Sequence, residues 1–297
     1  MPELPDVELY VKKLTEQLAG HRLNSYKILG PSVLRTVTPP LDGFVGRSVA
    51  FAQRLEKRIA IVFDDGTALV FHLMIAGRFR WVPSGTRLPR KITSATFDFD
   101  NGTLALTEAA TRKRAVLHAM PSMSDAGSLL RGGADPLVIS RGDFEALVGS
   151  VNRTLKRFLT DQSLLAGIGN AYSDEILFAA RLSPLRLTKS LDTEEVSRLY
   201  DAMQTTLREW VERLQVQFAD RFPGPGEITA FRPEFAVHGK FGSECPVCGH
   251  KVQRIRYAEN ETNYCAKCQN EGRLLADRAL SRLLKDDWPR TLEELES

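Results

Sequence analysis

Residues 58–72 read Arg-Ile-Ala-Ile-Val-Phe-Asp-Asp-Gly-Thr-Ala-Leu-Val-Phe-His. Ile59, Ile61 and Phe63 alternate along the first half. Asp64-Asp65-Gly66 forms a turn, and a second apolar run follows over 68–72. Alternation at period two around such a turn is the pattern of a β-hairpin. The same pattern recurs at 96–100, which runs through Asn101-Gly102 into 103–107. Short strands with turn residues between them occupy the chain from about 23 to 117, which predicts a β-sandwich or barrel.

On the N-terminal side of these strands the period changes. Val7, Tyr10, Val11, Leu14 and Leu18 recur at helical spacing, so residues 5–18 are expected to form an amphipathic helix. Pro5 suits its first turn, and Asp6 and Glu8 place negative charge at the positive end of its dipole. On the C-terminal side, residues 121–136 are rich in Ser, Gly, Asp and Pro and read as a linker. Helical patterns then cover 143–160, 172–181 and 193–217. A glycine-interrupted apolar loop, Leu164-Leu165-Ala166-Gly167-Ile168-Gly169-Asn170, separates the first two. Phe222-Pro223-Gly224-Pro225-Gly226 breaks the chain again, and a helical tail is expected over 273–285.

The 297 residues are 43% hydrophobic and 26% charged, enough for two domains with real cores. The net charge of +3 points only weakly to nucleic acid, so the placement of charge has to carry that argument. No stretch approaches the roughly 20 apolar residues of a membrane helix, and the start lacks a signal-peptide core, so a cytoplasmic protein is expected.

All four cysteines lie in Cys245-Pro-Val-Cys248 and Cys265-Ala-Lys-Cys268, with sixteen residues between the pairs. Two Cys-x-x-Cys knuckles at this separation match one tetrahedral Zn2+ site. Four thiolates close the coordination shell, so the ion is expected to be structural. Disulfides would call for an export signal, and a redox pair would not need two knuckles. Between the knuckles lie Lys251, Arg254, Arg256 and Tyr257. Such a hairpin suits DNA phosphates, although charge alone favours a solvated face.

Three separated stretches resemble the Fpg/Nei (formamidopyrimidine-DNA glycosylase/endonuclease VIII) family. They are the opening Pro2-Glu3-Leu4-Pro5-Asp6-Val7-Glu8, the loop 164–170 followed by Tyr172 and Glu175, and the cysteine hairpin. The resemblance implies an α+β, two-domain fold. Residues 1–120 would be an N-terminal catalytic β-sandwich with a leading helix, and 121–136 a linker. A helix–two-turns–helix domain would cover 137–236, a four-Cys zinc hairpin 237–270, and a helical tail 271–297. Damaged double-stranded DNA would lie between the two domains, bound by a monomer without organic cofactor.

The implied chemistry is base excision followed by AP-lyase cleavage. Once Met1 is removed, Pro2 presents a secondary amine, and an α-amino group has a pKa near 7.7–8.0, so a useful fraction is free at neutral pH. Attack on the sugar C1′ expels the base and leaves an iminium ion that favours β-elimination. Glu3 takes the part of general acid–base. Without the resemblance, Pro2-Glu3 would read simply as a helix entrance. The resemblance further assigns Lys57 to the lesion's phosphate and sugar. It places Lys156 near the DNA, Asn170 at a phosphate beside the extruded nucleotide and His72 near the backbone, and Arg112, Arg254 and Arg256 are further DNA-binding candidates. Met74 and Ile75 are the candidates for filling the gap left by the extruded nucleotide.

The chain departs from the family pattern at several points. Asp6 replaces a glutamate, and Met74-Ile75 replaces a Gly-Met pair. Glu108-Ala109-Ala110-Thr111-Arg112-Lys113-Arg114-Ala115 replaces an Asp-Pro-Arg-Arg-Phe-Gly segment and lacks its phenylalanine. Asn260 stands where a phosphate-gripping arginine is expected. These changes bear on recognition, so oxidised purines are the first expectation for the lesion and oxidised pyrimidines the second. Two other readings are a non-catalytic damage- or abasic-DNA-binding protein and an RNA-binding zinc protein. An intact Pro2-Glu3 start argues against both. In the tail, Leu274, Leu275, Ala279, Leu283 and Leu284 form an apolar stripe among Arg273, Arg278, Arg282 and Lys285. That stripe is expected to pack on the protein body.

Overall fold

The structure is a computed structural model that describes residues 1–30, 32–257, 260–276 and 289–296, with only the backbone of Tyr257, Asn260 and Glu296. It divides into two compact units. One comprises residues 1–131 and 210–230, the other residues 132–209 and 231–297.

The first unit opens with helix α1 (Leu4–Leu18) and continues through eight strands: β1 (Leu23–Ile28), β2 (Val49–Leu55), β3 (Arg58–Phe63), β4 (Ala68–His72), β5 (Gly77–Val82), β6 (Thr93–Phe99), β7 (Gly102–Glu108) and β8 (Val116–Met120). They form two four-stranded antiparallel sheets, ordered β2-β3-β4-β8 and β1-β6-β7-β5. The hairpin read from 58–72 is β3–β4, and the Asn101-Gly102 hairpin is β6–β7. Phe71 of β4 meets Phe79 and Phe97 of the other sheet edge-on, at centroid distances of 5.1 and 5.5 Å. The aromatic core between the sheets therefore uses one face of the alternation.

The opposite face of β3, β4 and β8 carries Ala60, Val62, Ala68, Val70 and Met120. A short 3-10 turn, Asp125–Leu129, covers these with buried Ala126. Farther along the same face come Arg58, His72 and His118.

Helix α1 buries Leu4, Val7, Tyr10, Leu14 and Leu18. Its fully buried Tyr10 hydroxyl accepts a hydrogen bond from the Phe79 N–H at 3.2 Å. That bond satisfies a backbone donor on β5, which is an edge strand among the described residues.

The second unit is built from α2 (Arg141–Ser150), α3 (Leu155–Thr160), α4 (Asn170–Ala179) and α5 (Thr193–Gln217), whose last residues count with the first unit. The hairpin β9 (Gln253–Tyr257) and β10 (Asn260–Tyr264), helix α6 (Ala266–Asn270) and the short α7 (Leu292–Glu296) follow.

The single helical segment expected over 143–160 is in fact two helices. Thr188 decides the break: its hydroxyl donates to the Val151 carbonyl at 2.5 Å and accepts from the Arg153 N–H at 3.3 Å. Thr154 bridges Leu187 in addition. Tertiary hydrogen bonds here override a continuous helical period.

The expected tail helix is also corrected where it can be seen. Arg273 makes an isolated antiparallel bridge with Thr291, and Leu274 N–H donates to the Arg290 carbonyl at 2.8 Å. Leu274 and Leu275 pack with Ile255, Tyr264, Ala266 and Leu292. Arg278, Ala279, Arg282, Leu283, Leu284 and Lys285 lie outside the described residues. No described helix is long and apolar enough to cross a membrane.

Candidate active site

The start of α1 puts the N-terminal residues inside the first unit. Pro2 is buried and Glu3 is 4% exposed. Glu3 is the N-cap residue, and its N–H donates to Asp6 Oδ2 at 2.9 Å. A carboxylate so close to the helix N-terminus is stabilised by the dipole. The N-terminal amine, at Met1, is held below its usual pKa of 8.0 by burial. Glu3 and Asp6 oppose that effect, and the positive charges of Arg78 and Lys57 reinforce it. An amine in this setting is more readily free at neutral pH than one in water.

Lys57 reaches the same neighbourhood from the β2–β3 turn, where Glu56 adopts a left-handed φ of 55° and Leu55 pairs with Arg58. Its ammonium is buried, which lowers its pKa, and Glu3 is the strongest charge acting against that shift. The amine, Glu3, Lys57 and Arg78 therefore form one electrostatic cluster within one unit. It brings together an amine, a carboxylate, an ammonium and a guanidinium.

His72 ends β4 beside this cluster. Burial, then the charges of Arg58 and Lys57, depress its pKa to about 4, and its Nε2 has no hydrogen-bond partner among the described residues. Met74 and Ile75 sit on the tight turn after β4. Met74 takes a φ of 53°, and a Cβ at Gly77 would come within 2.3 Å of the Leu73 carbonyl oxygen. The turn exposes 55% of Ile75.

Arg112 is exposed on the loop 109–115, which buried Glu108 organises. The Glu108 carboxylate accepts from Arg114 N–H at 2.8 Å and Ala115 N–H at 3.0 Å.

In the second unit, α3 and α4 flank the glycine loop. Gln162 stitches it by donating to the Ile168 carbonyl at 2.7 Å and accepting from Gly167 N–H at 2.9 Å. Asn170 opens α4. Lys156 is buried: its Nζ donates to the Asn170 carbonyl at 2.6 Å and to Asp174 Oδ1 at 2.5 Å. The other oxygen of Asp174 lies 2.7 Å from His238 Nδ1 and accepts from Asn263 N–H at 3.1 Å. Glu175 receives the backbone N–H groups of Ala236, Val237 and His238 at 2.7–2.9 Å, while burial raises its pKa. Sequence reading missed Asp174, His238, Glu108 and Arg78. Asp174, His238 and Arg78 act through partners distant in the sequence, and Glu108 through N–H groups six and seven residues on, and no local spacing marks either.

Cys245, Cys248, Cys265 and Cys268 converge, with all four sulfurs within 4.8 Å of one another and no disulfide. Two of the separations are 3.9 Å (Cys245 to Cys268) and 3.4 Å (Cys248 to Cys265). A tetrahedral ion with Zn–S bonds of 2.3 Å sets its thiolates about 3.8 Å apart, so the cluster fits zinc. Burial raises the Cys268 thiol to about 11 and pushes Cys265 up as well, so these two would be held as thiolates by a bound cation. Arg254 lies 4.2 Å over the Phe241 ring and 3.6 Å from Glu261, and Arg256 is exposed on the same hairpin. Asn260 begins β10 opposite Tyr257.

Comparisons with known proteins agree with this geometry. Residues 1–115 match the formamidopyrimidine-DNA glycosylase N-terminal domain, residues 134–220 its H2TH domain, and residues 242–270 the zinc finger found in FPG and IleRS. The formamidopyrimidine-DNA glycosylase of Desulforamulus reducens is 31% identical over 278 residues, covering 91% of this chain and 99% of the relative. That of Thermus thermophilus is 34% identical over 277 residues, covering 92% and 100%. The chain belongs to the formamidopyrimidine-DNA glycosylase family. It is accordingly a DNA glycosylase of base excision repair, with DNA as its partner and one structural Zn2+ on its four cysteines.

The fold of this formamidopyrimidine-DNA glycosylase family member is shared by solved structures from Lactococcus lactis. The complex of that organism's enzyme with a Fapy-dG-containing DNA superposes with a TM-score of 0.79 at 24% identity, covering 90% of this chain and 100% of that one. The enzyme bound non-covalently to AP-site DNA superposes at 0.78 and 24%, covering 90% and 99%.

Proposed function

We propose that this glycosylase is bifunctional, excising oxidised bases through Pro2 and then cleaving the strand as an AP lyase. The observation that carries the reading is the burial of Pro2 and Glu3 at the N-terminus, with the terminal amine, Glu3 and Lys57 in one electrostatic cluster. After removal of Met1, the Pro2 nitrogen bonds to C1′ as the C1′–base bond breaks, and the departing base takes a proton. Glu3 protonates the sugar ring oxygen as the ring opens to the iminium. Loss of the 2′ proton then expels the 3′-phosphate by β-elimination.

Lys57, His72, Arg112, Asn170, Arg254 and Arg256 supply the DNA contacts, while Lys156 acts through the Asn170 turn that it holds. Ile75, with Met74 beside it, fills the vacated stack. Oxidised purines, formamidopyrimidine among them, are the first substrates, which the names of the curated relatives favour. The enzyme works as a monomer in the cytoplasm.

Borohydride trapping tests this on duplexes carrying an abasic site, 8-oxoguanine, a formamidopyrimidine or an oxidised pyrimidine. A covalent adduct that disappears in Pro2→Gly is expected, and the best-trapped lesion names the substrate. No adduct with abasic DNA, from zinc-loaded protein lacking Met1, would instead make this a non-catalytic DNA-binding protein.

A further inference from the structure

The zinc-finger match ends at residue 270, yet described residues beyond it pack on the hairpin. Two stretches of this tail run side by side. Arg273 bridges Thr291, Leu274 N–H donates to the Arg290 carbonyl at 2.8 Å, and Leu292 N–H donates to the Gly272 carbonyl at 3.0 Å. From this ribbon Leu274, Leu275 and Leu292 pack with Ile255 and Tyr264, both fully buried. Leu275 N–H also donates to the Tyr264 hydroxyl at 2.8 Å, so the contact is polar as well as apolar.

The strand register shows which side of the hairpin is covered. Tyr264 pairs with Gln253 and Thr262 with Ile255, so Ile255 and Tyr264 share one face. Arg254 and Arg256 alternate onto the other face. The metal ligands lie at the base: Cys265 directly follows Tyr264, and Cys245 and Cys265 pack with Val237 and Val252. The Asn263 contacts with Asp174 are also near the base. Ile255 and Arg256 stand farther out along the ladder than either fastening. A two-stranded hairpin by itself is marginal in water, and zinc holds only the end from which this one springs.

We propose that the tail stretches 272–275 and 290–292 are a positioning element for DNA binding: they clasp the middle of the β9–β10 hairpin from the face opposite Arg254 and Arg256. Zinc sets the base of the hairpin, and the tail sets the direction in which its outer half projects. The two arginines then meet phosphates in a fixed geometry. The proposal rests on the reading that Arg254 and Arg256 contact DNA.

The test compares a Leu274→Ser/Leu292→Ser double variant with the wild type, both zinc-loaded and full-length, on an abasic duplex across a salt series. The Kd is expected to rise on the order of tenfold, and the slope of log K against log salt to become shallower by about 1–2, the share of one or two phosphate contacts. Zinc content should stay at one ion per chain. The single-turnover excision constant at saturating protein should stay within about threefold, because the clasp touches none of the reacting groups. An unchanged Kd and slope overturn the proposal. So does loss of zinc from the variant, which would make the tail a support for the metal site, and so does a fall in excision with Kd unchanged.

Should the double variant fail to fold, Tyr264→Phe removes only the hydroxyl that Leu275 reaches. A rise in Kd of about twofold or more with a shallower slope is then expected, and wild-type binding overturns the idea. Arg254→Gln/Arg256→Gln is the control for the underlying reading. If that variant keeps the wild-type Kd and slope, the arginine reading alone fails. The clasp is then decided by amide exchange: faster exchange in β9 and β10 of the leucine variant supports it, and unchanged exchange overturns it.

Discussion

The start of α1 and the start of α4 hold similar residues put to opposite use. At α1, a carboxylate, an ammonium, an amine and a guanidinium share one neighbourhood, and burial depresses the pKa of both the amine and Lys57. At α4, Asp174 has no exposed side chain and meets Lys156, His238 and Asn263 together. The first arrangement leaves titration states poised, as chemistry requires. The second satisfies a buried charge completely, as a joint requires. Perturbed groups and buried ion pairs look alike in a sequence, and only their partners separate a reactive cluster from a structural one.

The largest effect that sharpens this contrast is metal removal. Structural zinc contributes roughly 10–16 kcal/mol in comparable small sites, so chelation should unfold the cysteine hairpin. Because Asn263 of that hairpin contacts Asp174, the amide-exchange protection of α4 should fall with it, while β3 and β4 keep theirs. Protection of α4 that survives chelation would show the joint to be independent of the hairpin.

Two substitutions come next. Asp174→Ala leaves Lys156 buried without its partner and should destabilise the fold by about 3–5 kcal/mol in denaturant unfolding. Glu3→Gln should leave stability within roughly 0.5–1 kcal/mol yet slow base excision about 100-fold or more. If Asp174→Ala unfolds no more easily while excision collapses, the contrast breaks.

A smaller effect concerns His72. Its folded pKa of about 4 lies below the ordinary 6.5, so the folded state resists a proton that the unfolded chain accepts. Stability is therefore full above pH 6.5 and is lost as pH falls from 6.5 towards 4, by up to about 3 kcal/mol from this group. His72→Gln should flatten that part of the stability–pH curve. An unchanged curve would place the acid sensitivity elsewhere, with His118 the next candidate because burial also lowers its pKa.

Much of the architecture was legible because it rests on local pattern. The β3–β4 hairpin, the Asn101-Gly102 turn, α1 and α5 follow from periodicity and turn chemistry acting over a few residues. The zinc knuckles were legible for the same reason, since their ligands come in closely spaced pairs. The proline start, by contrast, was readable only through resemblance, because Pro-Glu before a helix is an ordinary entrance.

What the sequence determined by itself was thus the period of each element, the metal ligands and the identity of the residue behind Met1. The tertiary structure alone decided the break between α2 and α3, the burial of Lys156, the hold of Glu108 on its loop and the reach of Arg78 to Ile228. The physical reason is common to all four. A buried backbone carbonyl, N–H or carboxylate must find a partner, and that partner is chosen by proximity in space between residues up to 150 positions apart.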